Sequence, residues 1–219
     1  MSKQQMDIRK GKGVIADFFP FMKHQDIEEL FSICQYKSFK NKEIIFSSGS
    51  THRKVALILS GYIRGYIIDS EGEEKNIILK AEGTFVGVPE GLFSSNPTKY
   101  NFEAIMDCDL LVFNLTDLEA LAKINSAIFE LYTWGLKDNI ATMLGRIESM
   151  VMLTPEERYQ NLLQKYPHFF QAVFHKHIAN YLGITPVSLS RIIKRFKDHI
   201  WFCTAINKKL LQVTILILC

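Results

Sequence analysis

Between about Phe39 and Leu115 the apolar residues come in short runs: Glu43 to Phe46, Val55 to Leu59, Tyr62 to Ile68, Asn76 to Leu79 and Leu110 to Asn114. Ser47-Ser48-Gly49, Ser60-Gly61, Asp69-Ser70-Glu71-Gly72, Glu82-Gly83 and Ser94-Ser95-Asn96-Pro97 separate them. These residue types favour turns, because glycine tolerates positive φ and short polar side chains bond to nearby backbone. Runs of this length at this spacing predict one antiparallel β domain, a small barrel or sandwich. Upstream, Ile27, Leu30, Phe31 and Cys34 recur at helical intervals and predict a short helix over Asp26 to Cys34.

After Leu115 the period changes. Phe129, Thr133, Leu136, Ile140, Met143, Ile147 and Met150 follow one another in alternating steps of four and three. A 3.5-residue repeat lets a helix lie along a partner helix, knobs from each filling holes in the other, so residues 126–153 are expected to be a dimerisation helix. Phe129, Leu136, Ile140, Met143, Ile147 and Met150 would line its seam. The same helix packed only on its own barrel is the alternative, and Leu144 and Val151 widen the apolar surface enough to face the barrel as well. A new domain is expected from Thr154, which caps the next helix with Pro155 at its first position and Glu157 completing a capping box. That helix carries Tyr159, Leu162 and Leu163 and ends near Pro167.

Residues 175–196, His-Lys-His-Ile-Ala-Asn-Tyr-Leu-Gly-Ile-Thr-Pro-Val-Ser-Leu-Ser-Arg-Ile-Ile-Lys-Arg-Phe, have the pattern of a helix-turn-helix. Ala179 is small where a second helix crosses, and Gly183 permits the sharp turn. Ile178, Leu182, Ile184, Leu189 and Ile192 form the shared core. Thr185 caps the second helix and Pro186 occupies its first turn. The positions left outward, Val187, Ser188, Ser190, Arg191, Lys194 and Arg195, are small or cationic and suit a major groove and its phosphates. With Thr185 they are the expected DNA-binding residues. His175 and His177, two apart at a helix start, are read as surface or capping residues, not metal ligands.

Charge agrees with that placement. The chain of 219 residues has a net charge of +3, yet residues 154–219 carry nine Lys/Arg against three acids, leaving −3 on the preceding part. One basic end suggests one polyanionic partner. The four cysteines, Cys34, Cys108, Cys203 and Cys219, form no CxxC pair, so buried free thiols are expected and no metal or disulfide framework. The polar stretch Met1 to Gly13 has no apolar core, and no run reaches the roughly 18 apolar residues that span a bilayer. A cytoplasmic location without membrane attachment is therefore expected.

In order of parts and in motif, roughly residues 20–196 resemble the Crp/Fnr family of bacterial regulators, which includes the catabolite activator protein. The likeness rests on Ser60-Gly61-Tyr62-Ile63-Arg64, on Gly83-Thr-Phe-Val-Gly87, on Glu103-Ala104 with Asp107-Cys-Asp-Leu-Leu111, and most specifically on Ile178-Ala-Asn-Tyr-Leu-Gly-Ile-Thr-Pro186 with Leu189-Ser-Arg191. It implies an α+β fold: an antiparallel, cyclic-nucleotide-binding-like β-roll that senses an effector (1–125), the dimerisation helix (126–153), and a winged-helix-like helix-turn-helix domain (154–219). It also implies double-stranded DNA, a second copy of the chain, RNA polymerase and a small-molecule effector as partners.

Two departures limit what carries over. Members that respond to cAMP show Gly-Glu-x-x-Gly-Glu followed by Arg-Ser-Ala. Here Gly83 and Gly87 keep the glycines, Thr84 and Val88 stand in the glutamates' places, and Thr98, Lys99 and Tyr100 lie where Arg, Ser and Ala would be. Gly83, Thr84, Gly87, Val88, Thr98 and Lys99 are thus the effector-pocket candidates, with Lys99 first among cations. Without the arginine and the carboxylate, the charged and polar groups of cAMP would go unpaired, so cAMP is not the expected effector. The iron–sulfur branch of the family uses clustered N-terminal cysteines, whereas Cys34 stands alone in the first hundred residues. Neither His24 nor His52 is marked out as a haem ligand, and no cofactor is expected. The second departure is the tail, where residues 199–219 are very apolar for an exposed wing. Two rival readings remain open at this point: a module of the same fold that has lost specific DNA recognition, suggested by the apolar Val187, and a cupin-like metal enzyme, for which the β region offers only His52.

Overall fold

The computed structural model describes residues 3–51, 53–87, 96–166, 170 and 174–196. The chain divides into two units, Met1–Val151 and Met152–Cys219. In the first, helices α1 (Lys3–Phe18) and α2 (His24–Ser32) precede eight strands: β1 (Cys34–Phe39), β2 (Ile44–Phe46), β3 (Lys54–Ser60), β4 (Tyr62–Ile68), β5 (Glu74–Ala81), β6 (Phe85–Gly87), β7 (Asn101–Ala104) and β8 (Cys108–Asn114). Helices α3 (Leu115–Ala122) and α4 (Ser126–Met152) follow. The strands form two antiparallel sheets, ordered β1-β8-β3-β6 and β2-β7-β4-β5. This is the antiparallel β-roll of the sequence expectation, accompanied by helices.

The unbroken apolar run of β3 reflects burial on both of its faces, since successive side chains of a strand point opposite ways. Val55, Leu57 and Leu59 join Ile15, Phe19, Leu30 and Leu131 in a core beneath the helices. Ala56 and Ile58 turn inward to meet Phe46, Ile63 and Phe102 in the core between the sheets. Strand β8 repeats the division, with Leu111 and Phe113 toward the helices and Leu110 and Val112 inside.

Three strands, β1, β6 and β7, and the helices α1 and α3 lie outside the elements predicted from the sequence. The polar stretch ending at Gly13 belongs to α1, which anchors itself through Ile15 and, just past its end, Phe19, both wholly or almost wholly buried. Helix α4 divides its surface. Ile128, Leu131 and Gly135 are buried, the first two within the core under the helices, and Gly135 lets the helix approach β6 so closely that a Cβ there would come within 2.9 Å of the Phe85 ring. Leu144 and Val151, expected to face the barrel, are exposed instead; the described contacts of the helix with the roll run as far as Met143.

In the second unit α5 (Pro155–Lys165) begins as expected, with Glu157 N–H donating to Thr154 Oγ1 and the Glu157 carboxylate accepting from Thr154 N–H. Helix α6 (His175–Leu182) and a helix over residues 186–196, here α7, complete the described part. The apolar tail 199–219 lies outside the described residues. Among the described residues no helix is long and apolar enough to cross a membrane.

Candidate nucleic-acid interface and roll cavity

Helix α6 ends at Gly183, whose φ of 69° is the left-handed conformation that glycine adopts without a Cβ penalty. Its N–H returns to the Asn180 carbonyl, and Ile184 N–H to that of Ala179. Arg158 of α5 reaches across to the same corner: its Nε–H donates to the Leu182 carbonyl at 3.0 Å and its Nη1 to that of Leu153 at 2.8 Å. The guanidinium thereby satisfies a carbonyl that a helix end would otherwise leave open. Sequence reasoning missed this residue, since its partners are backbone atoms with no sequence mark.

Thr185 caps α7. Its Oγ1 accepts from Ser188 N–H at 3.1 Å and shares a hydrogen bond with Ser188 Oγ at 3.0 Å. Ile178, Ala179, Leu182, Leu189 and Ile192 are buried together with Tyr159 and Leu162, while Ile184 is half-buried. The opposite side of α7 presents Val187, Ser190, Arg191, Lys194 and Arg195 to solvent. Ser188 is half-buried in the cap rather than fully outward. Arg195 already pairs with Glu156 of α5. Among the described residues no carboxylate pairs with Arg191 or Lys194. His177, expected at the surface, is buried with its ring 6.5 Å from that of Phe174; His175 is exposed.

Along α4 the heptad positions Phe129, Ile140, Met143, Ile147 and Met150 are 42–60% exposed, and Leu136 is half-buried. Among the described residues the stripe is thus largely uncovered at Phe129 and from Ile140 to Met150, and half-covered at Leu136.

The roll holds a cavity of about 280 Å³ against α4, its walls mostly apolar. Ile78, Phe85, Phe102, Leu136 and Met143 are among the apolar residues that line it, with Lys80, Asn139 and Tyr132. Of the described effector-pocket candidates only Gly87 borders it. Gly83 takes a left-handed φ of 78° in the turn before β6, and Thr84 Oγ1 donates to the Ala81 carbonyl in the same turn. Thr98 is buried but pinned to the backbone of Ser50, Gly49 and Tyr100. Lys99 is exposed, over the Tyr100 ring. Val88 lies outside the described residues.

The buried cations are others. Arg64 is 3% exposed and bridges Glu103 at 2.8 Å and Glu74 at 2.6 Å while stacking on Tyr66. Burial works against its charge, and the two carboxylates more than offset this and hold the guanidinium charged. Lys80 is 2% exposed; its ammonium donates to Asp138 Oδ2 at 2.6 Å and Thr142 Oγ1 at 3.2 Å, joining β5 to two successive turns of α4. The signal for Lys80 was in the sequence, a lysine two residues after Ile78 and so on the same strand face. Cys34 and Cys108 are free thiols that burial pushes up to about 12.

Residues 36–125 match the family model of the cyclic nucleotide-binding domain. The regulatory protein HlyX of Actinobacillus pleuropneumoniae is 28% identical over 194 residues, 81% of this chain and 79% of HlyX. Among solved structures, FixK2 from Bradyrhizobium japonicum has a TM-score of 0.64 at 19% identity, covering 76% of this chain and 86% of that one. A transcriptional regulator of the Crp/Fnr family from Eubacterium rectale gives 0.61 at 17% identity, over 84% of this chain and 88% of the other.

Proposed function

We propose that the chain is a Crp/Fnr-type regulator and works as a dimeric, sequence-specific DNA-binding regulator of transcription whose β-roll senses a small molecule other than cAMP. The observation that carries this reading is the helix-turn-helix itself: a left-handed glycine, a capped second helix, and Arg191 and Lys194 exposed on one face of that helix with no carboxylate partner among the described residues. A helical hairpin with only a packing role has no use for two outward cations at this spacing. Arginine can donate two parallel bonds to a guanine edge, whereas lysine suits a phosphate as a point charge. Thr185, Val187, Ser188 and Ser190 complete the reading surface, and Arg195 divides its charge between Glu156 and the phosphates.

In this reading the stripe of α4, Phe129 to Met150, is the seam between two copies. Two reading helices then lie about one DNA turn apart, near 34 Å, and the site is an inverted repeat. RNA polymerase is the further partner of a regulator bound upstream of a gene. HlyX is by its name a regulatory protein, and no reaction is assigned to this chain.

Selection of DNA sites from a random pool, followed by retardation assays at stated salt, tests the proposal. Selection should return an inverted repeat. Arg191→Ala should cost about 1 to 3 kcal/mol on the selected site and little on random DNA. Lys194→Ala should weaken both and lower the slope of log affinity against log salt by about one per half-site. Failure to enrich any sequence would support the module without DNA recognition.

A further inference from the structure

The cavity between the roll and α4 pairs an apolar body with one buried cation. Its walls are mostly hydrocarbon, and Lys80 lines it from the face of β5 that carries Ile78, with its ammonium held by Asp138 and Thr142, which are not among the lining residues. A carboxylate already sits against the ammonium, that of Asp138, at 2.6 Å. Asp138 is 25% exposed while Lys80 is 1% exposed by side chain. The two partners therefore differ in what they can do: the ammonium is buried, whereas the carboxylate can turn outward and hydrate. Leaving a buried charge without a counter-ion is strongly unfavourable, so an incoming anion can displace Asp138 only by replacing it.

Resting on the reading of the roll as a sensor, we propose that the cavity takes a small amphipathic monoanion, with an apolar body and a single carboxylate-like head, and that Lys80 exchanges Asp138 for that head. At about 30 Å³ for each water-sized group, the cavity admits roughly nine such groups, the size of a medium-chain or monocyclic aromatic acid. A nucleotide is a poor occupant, because its ribose hydroxyls and ring nitrogens would meet Phe85, Phe102 and Leu136 with no partner. The exchange keeps the cavity neutral and unties α4 from β5, since Asp138 and Thr142 are both held by the same ammonium. A neutral molecule of equal size leaves that tie closed. Ligand charge, and not occupancy alone, is what the helix responds to.

Octanoate and 1-octanol, matched in length and different in head charge, are the probes for calorimetric titration of the full chain. The wild-type protein should bind octanoate about ten-fold more tightly than octanol, since a hydrogen bond to a charged group is worth more than one to a neutral group. Asp138→Asn removes the competing carboxylate and should raise octanoate affinity about ten-fold while leaving octanol unchanged. Lys80→Met should abolish the preference. Only binding in this cavity responds to these two substitutions, which separates it from adsorption on the exposed stripe. Equal affinity of the wild type for both probes, no binding of either, or octanoate affinity unaltered by Asp138→Asn would overturn the exchange. If Lys80→Met does not fold, Asp138→Asn at the partly exposed partner still decides it. The DNA selection described above is independent: its failure would refute the regulator reading and leave the exchange standing, while loss of the octanoate preference with DNA binding intact refutes only the exchange.

Discussion

Replacing Ile140 and Ile147 together by glutamate should convert the protein to a monomer without unfolding it. The two side chains are 58% and 60% exposed within their own unit, so a partner helix has somewhat more than half of each left to bury. Full burial of an isoleucine side chain is worth about 1.5–3 kcal/mol, and six-tenths of that is roughly 1–2 kcal/mol. A two-fold dimer buries four such side chains, so removing them costs on the order of 4 kcal/mol at the low end, or about 10³-fold in the dimerisation constant. Like-charged glutamates facing one another add to this. In the monomer Ile147 touches solvent, where a change stays within about 0.5 kcal/mol, while Ile140 also borders the roll cavity, so Ile147→Glu alone is the control for the unfolding midpoint. Sedimentation velocity over a concentration series should show the wild type as a dimer and the double mutant as a monomer, with the same unfolding midpoint for the roll. A double mutant that sediments unchanged as a dimer would refute the seam. A monomeric mutant with a collapsed unfolding midpoint would show instead that the stripe supports the fold of its own subunit.

Calorimetry with cAMP should show no saturable binding at micromolar concentration; a dissociation constant below roughly 10 μM, worth about 7 kcal/mol, would overturn the case against it. Thr154→Ala should cost the second unit about 1 kcal/mol in denaturant unfolding and Thr154→Ser much less, because the hydroxyl caps α5. The thiols of Cys34 and Cys108, raised to about 12 by burial, should resist iodoacetamide at pH 8.5 as mapped by mass spectrometry. In the unfolded chain they ionise near their ordinary value of about 8.5. Their contribution to stability is thus complete below that value and lost as pH rises from there toward 12, which pH-dependent unfolding would register as a falling midpoint.

The parts legible in the sequence are those whose physics is local. Gly183, Thr185 and the buried quintet of the helix-turn-helix each occupy a position with a steric reason that holds within twenty residues. The heptad stripe is legible for the same cause, since a period needs no knowledge of the partner. Strand β7 was not read because Asn101 and Glu103 break its apolar pattern; Glu103 is nevertheless buried, paired with Arg64, and no local feature announces that. Helix α1 was not read because its first half is polar in sequence, and from Ile8 to Phe18 only Gly11 and Ile15 are buried. The cavity illustrates the limit best. The cassette positions Gly83 and Thr84 are spent on the turn into β6, and the polar residues that do line the cavity come from β5 and from α4, more than fifty positions apart.

That separation bears on how a roll could influence a seam. Leu136, Ile140 and Met143 line the cavity and also belong to the apolar stripe of α4. A rotation of the helix that deepens one surface must withdraw side chains from the other, because successive turns offer only about 3.6 positions per circuit. The N-terminal part of the helix cannot rotate freely: Ile128 and Leu131 are buried and Gly135 sits against Phe85. From Ile140 onward no residue of α4 is buried, so adjustment is confined to the segment beyond the Lys80 tie to Asp138 and Thr142. The ion pair therefore stands at the boundary between the fixed and the free parts of the helix, where a change of counter-ion has the longest lever on the seam. Dimer affinity measured with and without saturating octanoate should differ in the wild type and differ less in Asp138→Asn, which lacks the carboxylate that octanoate displaces. Equal dimer affinity in the wild type under both conditions would show that the cavity and the seam are uncoupled despite sharing three side chains.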